Sequence, residues 1–245
     1  MPSSPTPTWA PELLARAYYS DDSVVLIHGD CLELADLWTC ADVLITDPPY
    51  GMAFVSGASK HNGPSRPIAG DDSTAARDEA LALWGDGPGL VFGTWRLPRP
   101  SGTRTVIVWD KGDSPGMGAL DLPWGLSHEE VYVMGRGWPV LPNGGRRREG
   151  GVPRRDPSII RATLVNSQAS DRPDHPTPKP IPLMVQLIAK TSGTVADPFA
   201  GSGSTLVAAK ALGRRAIGVE LEERYCEVIA RRLSQGVLDF GGEAS

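Results

Sequence analysis

Short apolar runs alternate with segments of helical period along most of the chain. Runs at 24–28, 43–46, 89–93, 105–109, 130–134, 193–196 and 216–219 predict strands. Several are continuously apolar, the pattern of strands covered on both faces. Helices are predicted over 74–84, 181–190, 205–212 and 222–233. The second follows a proline placed to start a helix, and the third stops at Gly213. The fourth opens on Glu222 and Glu223 and closes on Arg231 and Arg232, charges that complement the helix dipole. Residues 1–11, about 56–73, 135–160 and 234–245 are rich in Gly, Pro, Ser or charge and predict loops or tails. Strand–helix alternation of this kind predicts an α/β domain built on a mostly parallel sheet with helices on both faces.

Composition narrows the class. The 245 residues leave room for one such domain, expected over 12–245, plus a modest insertion; 1–11 is expected to be a flexible N-terminal tail. Apolar residues make up 40% and charged residues 22%, ordinary for a globular protein. No apolar run approaches the roughly 20 residues that span a bilayer, and the N-terminus lacks the pattern of a signal peptide. Cys31, Cys40 and Cys226 are odd in number and widely spaced, which suggests neither a metal site nor a disulfide framework and suits a reducing cytoplasm. A cytoplasmic protein with no membrane partner is therefore expected. Net charge is −5, yet 136–161 holds seven arginines against two acids, a local balance of +5. Local clustering of this kind, rather than net charge, is what phosphate contact requires.

Two constellations carry chemistry. In Thr194-Val-Ala-Asp-Pro-Phe-Ala-Gly-Ser-Gly-Ser-Thr205 a strand runs into a glycine turn that opens a helix. Such a turn admits close approach of a ligand to backbone and aims helix N–H groups at an anion. A phosphate loop is disfavoured because no lysine follows at the required spacing. A dinucleotide fingerprint half fails, since Leu206 stands where the third glycine belongs. A small carboxylate-bearing ligand remains compatible. Glu220, ending the next strand about 20 residues on, has the spacing used to hold ribose hydroxyls.

The second constellation, Val43-Leu-Ile-Thr-Asp-Pro-Pro-Tyr50, ends a strand in an acid, two prolines and an aromatic. The prolines stiffen the turn and leave the Pro48 carbonyl free. A carboxylate and a carbonyl side by side accept both hydrogens of an –NH2 group, and Tyr50 offers a flat face to a base. Hydrogen bonds to Asp47 and Pro48 would favour a pyramidal nitrogen whose lone pair attacks a sulfonium methyl. This is catalysis by positioning and electrostatics and needs no covalent intermediate.

Asp47-Pro-Pro-Tyr50 ahead of Asp197-Pro-Phe-Ala-Gly-Ser-Gly203 resembles the beta-class amino-methyltransferases of DNA, which modify adenine N6 or cytosine N4 with S-adenosylmethionine. Ile27-His-Gly-Asp-Cys31 resembles the segment flanking the cofactor adenine, and His175-Pro-Thr-Pro-Lys-Pro180 the proline–lysine cofactor motif. Ala216-Ile-Gly-Val-Glu220 resembles the ribose-binding strand. Matching elements cover most of 24–135 and 172–233. Pro178 stands where the family often has Gln or Glu, and Ser204 where it often has Thr.

The resemblance implies a Rossmann-like methyltransferase fold, a circularly permuted seven-stranded sheet with a hairpin at one edge. It assigns catalysis to Asp47, Pro48, Pro49 and Tyr50. It places the cofactor, and its product S-adenosylhomocysteine, against Asp30, Cys31, Asp47, Thr177, Lys179, Asp197, Phe199, Ala200, Gly201, Ser202, Gly203, Ser204, Thr205, Glu220 and Leu221. A target-recognition segment is expected at 136–172. Arg136, Arg146, Arg147, Arg148, Arg154 and Arg155, with Lys60 and Arg66 in the loop after Tyr50, are the candidates for double-stranded DNA.

Trp124 and Trp138 are candidates for stacking or packing, while Trp95 and His128 are assigned to packing. Asp at position 47 favours adenine by family tendency; cytosine N4 is the near alternative, and an idle nucleoside- or DNA-binding module the distant one. No metal is expected and no nuclease on this chain, so a restriction partner would be separate. A homodimer is compatible with the sequence.

Overall fold

The computed structural model describes residues 8–51, 73–113, 121, 123–139, 156–163 and 178–235. Its strands are β1 (Ala17–Ser20), β2 (Val24–His28), β3 (Val43–Thr46), β4 (Gly89–Gly93), β5 (Thr103–Asp110), β6 (His128–Met134), β7 (Ile159–Arg161), β8 (Val195–Asp197) and β9 (Ala216–Glu220). They form one sheet in the order β1-β2-β9-β8-β3-β4-β6-β5-β7. Pairings from β2 to β4 are parallel; β6 runs antiparallel to both β4 and β5, and β5–β7 is parallel.

Seven of these strands are the predicted ones. Among the described residues the sheet has nine because two short edge strands join it. Antiparallel β1 covers β2, and β7 covers β5 within a stretch expected to be loop. Both are too short and too exposed to carry an apolar signature: β1 alternates half-buried and exposed, and Ile159 is 63% exposed.

Successive residues of the central strands point to opposite faces, and each face has its own core. Val24, Leu26, Val43 and Ile45 pack beneath α4 (Ile181–Ile188), α5 (Ser204–Ala211) and α6 (Glu223–Ser234), meeting Leu183, Leu187, Leu206 and Ile229. Val25, Ile27, Leu44 and Val91 face α1 (Pro11–Ala15), α2 (Ala35–Trp38) and α3 (Ala75–Trp84). There Trp38 and Trp84 stack with centroids 6.2 Å apart.

α1 and α2 are the helices that periodicity did not predict, each being too short to show a period. The folded part also begins before residue 12. Trp9 is buried, lies 3.6 Å beneath the Arg215 guanidinium and donates to the Asp21 carbonyl at 2.7 Å. Trp95, assigned to packing, is instead 57% exposed, because the chain has left β4 by that point. His128 is half-buried at the start of β6, and Trp138 packs on the core, its indole donating to Met134. No helix among the described residues is long and apolar enough to cross a membrane.

This topology gathers the chemistry on one edge. The parallel strands β2, β9, β8, β3 and β4 end there. Because β6 is antiparallel it begins there, and β5, antiparallel to β6, ends there too. Gly29, Asp47, Lys111, Glu129, Asp197 and Glu220 therefore emerge together, where open α/β sheets bind ligands.

Candidate active site

At the end of β3, Pro48 and Pro49 stiffen the turn that carries Asp47 and Tyr50. The Tyr50 hydroxyl donates to Asp47 Oδ1 at 2.7 Å, and the Lys179 ammonium to Asp47 Oδ2 at 2.5 Å. Lys179 also lies 3.4 Å from Glu129 Oε2, 5.6 Å from the Tyr50 ring centroid and 5.1 Å from that of Phe92. Burial pushes the Asp47 carboxyl up, against the pull of the Lys179 charge. An ionised carboxylate has about four acceptor sites, so Asp47 retains capacity toward a further donor.

The neighbouring strand end supplies Asp197. Its Oδ1 accepts from the Thr46 hydroxyl at 2.7 Å and from the Phe199 N–H at 3.2 Å, and burial raises its pKa to about 6. Glu220, at the end of β9, accepts from the Gly201 N–H at 2.7 Å and the Glu222 N–H at 2.9 Å. These bonds fasten the glycine turn to the sheet. Burial still pushes Glu220 up to about 7, since two backbone donors do not offset its removal from water. The α6 residue Arg232 donates to the Ser202 carbonyl on the far side of the turn.

A cavity of about 430 Å³ joins these groups. It is lined by Asp30, Cys31, Glu220 and Leu221, beyond the ends of β2 and β9, and by the turn residues Asp197, Phe199, Ala200, Gly201, Ser202, Ser204 and Thr205 after β8. Asp47, Pro48, Pro49, Tyr50 and Lys179 line it as well, with Ala76, Thr94, Arg96, Leu126 and Glu129. Burial pushes the Cys31 thiol up to about 12, which makes it a poor nucleophile.

Gly203 is the residue of the turn that does not line the cavity. It begins α5 with φ +77°, and a Cβ there would stand 2.9 Å from Ile229 Cγ1. Its role is close packing of the turn on α6. Lys179, expected beside the cofactor, makes its polar contacts to Asp47, Tyr50 and Glu129.

Thr177, Lys60, Arg66, Arg146, Arg147, Arg148, Arg154 and Arg155 lie outside the described residues. Arg136 is highly exposed and pairs with Asp86 at 3.1 Å, on the surface. Trp124 is also exposed.

Besides cavity-lining residues such as Thr94 and Leu126, two buried charged residues behind the Asp47 turn escaped sequence reasoning. Glu129 Oε1 is 2.6 Å from the Lys111 ammonium, and both side chains are largely buried. The available signal was an acid pair, Glu129-Glu130, running straight into an apolar strand, a place where an acid is costly unless paired.

A family model described as DNA methylase, of the N6/N4 methyltransferase type, matches residues 94–231. The type II methyltransferase M2.LlaDCHI of Lactococcus lactis subsp. cremoris is 42% identical over 264 aligned positions, covering 91% of this chain and 94% of that protein. Among solved structures, the PvuII DNA methyltransferase (cytosine-N4-specific) aligns with TM-score 0.60 and 16% identity, over 93% of this chain and 91% of its own. M1.HpyAVI in complex with SAM aligns with TM-score 0.58 and 20% identity, over 86% and 98%. At these identities the structural likeness speaks for the fold alone.

Proposed function

The chain belongs to the DNA methylase family that acts on the N6 amine of adenine or the N4 amine of cytosine, and from that premise we propose that it methylates adenine N6 in double-stranded DNA. The observation that carries the reading is one cavity lined both by Glu220, at the end of β9, and by Asp47 and Tyr50, on the turn after β3 two strands away.

S-adenosylmethionine, when bound, supplies an electrophilic methyl group. The residues fit it. Glu220 is a buried carboxylate with acceptor capacity beyond its two backbone bonds, suited to ribose hydroxyls, and Asp30 lines the same cavity. The turn Gly201–Ser204 opens α5, an eight-residue helix whose N-terminus favours a carboxylate. Thr177 and Lys179 belong to the same proposed cofactor set.

Asp47 and the Pro48 carbonyl accept the two hydrogens of the target amine and orient its lone pair toward the methyl. Bound there, S-adenosylmethionine would exchange its sulfur–carbon bond for the new nitrogen–carbon bond and leave as the thioether. The proton then carried by the nitrogen passes to Asp47 and on to solvent. Tyr50 offers its ring to the base, which must leave the duplex at a cost of a few kcal/mol. The 136–172 segment, with Lys60 and Arg66, is the proposed DNA-reading surface; Arg136 stands at its start.

Asp at position 47 supports adenine over cytosine. The test is incubation of unmethylated DNA with labelled S-adenosylmethionine, then hydrolysis and chromatography of the nucleosides. N6-methyladenine is the expected product. N4-methylcytosine alone would overturn the choice of base, and no transfer to any DNA would overturn the enzyme reading in favour of an idle binding module.

A further inference from the structure

Two acids and two bases meet behind the catalytic turn, contributed by four separate parts of the fold. Asp47 ends β3, Glu129 lies in β6, Lys111 follows β5, and Lys179 precedes α4. Lys111 engages Glu129 Oε1 at 2.6 Å, which leaves Oε2 to face Lys179 at 3.4 Å and the Tyr50 hydroxyl at 3.4 Å. Lys179 sits closer to Asp47, at 2.5 Å. Lys111 is itself held over the Trp109 ring at 5.0 Å, and the Trp109 indole is fixed to the Ala162 carbonyl at 2.7 Å.

We propose that Glu129 and Lys111 form a positioning pair for methyl transfer, holding Lys179 against the Asp47 carboxylate. The proposal rests on the methyltransferase reading above. A buried ion is tolerated only with partners, and an ammonium between two carboxylates is fixed from both sides. The two distances show the bias. Because Lys111 draws on the Glu129 charge and occupies one of its oxygens, Lys179 stays with Asp47. Without Lys111, Glu129 would compete for Lys179; without Glu129, Lys179 would have one anchor and Lys111 would lose its carboxylate.

The charged and titratable groups acting on Asp47 are Lys179, Glu129 and Tyr50, with Asp197 on the neighbouring strand. The Glu129 charge raises the Asp47 pKa, so removing it moves Asp47 ionisation to lower pH.

The experiment compares wild type with Glu129→Gln, and with Lys111→Met as a second variant should the first fail to fold. Two readouts are taken. In the first, kcat is expected to fall roughly 10- to 100-fold from misplacement of Asp47. KM for DNA and Kd for the cofactor stay within about threefold, and the acid limb of the Glu129→Gln rate profile moves to lower pH. In the second, acetic anhydride labelling of the cofactor-free protein is read by mass spectrometry; acylation of Lys179 is expected to rise several-fold in Glu129→Gln, which loses a carboxylate partner, and to fall in Lys111→Met, where Glu129 turns wholly to Lys179.

Unchanged kcat with unchanged Lys179 labelling overturns the proposal. So does a loss of cofactor binding and melting temperature in proportion to kcat, which a merely structural role would give. Wild type that transfers no methyl would sink the functional reading, while the labelling would still decide the positioning.

Discussion

Lys179 Nζ lies 2.5 Å from Asp47 Oδ2, joining residues 132 positions apart in the chain. One belongs to a strand end and the other to the approach to α4, and parallel pairing of β3 with β8 brings the two regions together. The contact ties the motif expected to bind cofactor to the one expected to do chemistry.

Substituting Lys179→Met removes the charge that favours ionised Asp47 and leaves the carboxylate beside Glu129. The Asp47 pKa rises further, so the acid limb of kcat/KM moves to higher pH, opposite to the shift expected for Glu129→Gln. A pH–rate profile of each variant checks this. A limb that stays in place in Lys179→Met would dissociate the lysine from the catalytic carboxylate.

For Asp47→Ala the expected outcome is loss of transfer by at least about 100-fold, because the amine loses its orienting acceptor. Melting temperature should remain near wild type. Near wild-type transfer would refute the mechanism.

The two buried carboxyls Asp197 and Glu220 predict a stability profile. Asp197 titrates at about 6 and Glu220 at about 7 in the folded chain, above ordinary values of 3.8 and 4.5. Between the unfolded and folded values the native state keeps protons that the unfolded chain has released, so stability falls as pH rises through that window. The cofactor-free protein should melt at higher temperature at pH 5.5 than at pH 8. Glu220→Gln should flatten the difference, and calorimetry at both pH values measures it.

Gly203→Ala forces a side chain into left-handed backbone and against Ile229, with a Cβ 2.9 Å from its Cγ1. A loss of about 1–3 kcal/mol is expected from strain and overpacking together. Gly213→Ala is the control: φ is +64° but nothing lies within 4 Å of the added carbon, so only the backbone penalty of about 1 kcal/mol applies. Equal losses in denaturant titrations would remove Ile229 from the explanation.

Replacing Arg146, Arg147 and Arg148 together should weaken DNA binding and reduce the slope of log K against log salt by up to about 3, near one per phosphate contact. Binding measured across a salt series decides it; an unaltered slope would leave the basic stretch without a partner.

The sequence by itself determined seven of the nine described strands and the order of the Asp47 turn and the glycine turn. Residues 43–45 and 216–219 are uncharged, mostly apolar runs that lead into Asp47 and Glu220, and that pattern is local. Asp47, Tyr50, Asp197 and Glu220 were legible because each sits at such an ending. The short edges were not: β1, β7, α1 and α2 are held by contacts with distant residues, as Trp9 is held by Arg215, and carry little period of their own.

Nor was the charge cluster legible. Glu129 and Lys111 lie at the connected end of an antiparallel strand pair, and nothing in their spacing says that this pair packs beside parallel β4 with that end toward Asp47. Apolar periodicity is written along the chain. The partner of a buried charge is decided by which strand ends share an edge, and only the folded sheet sets that.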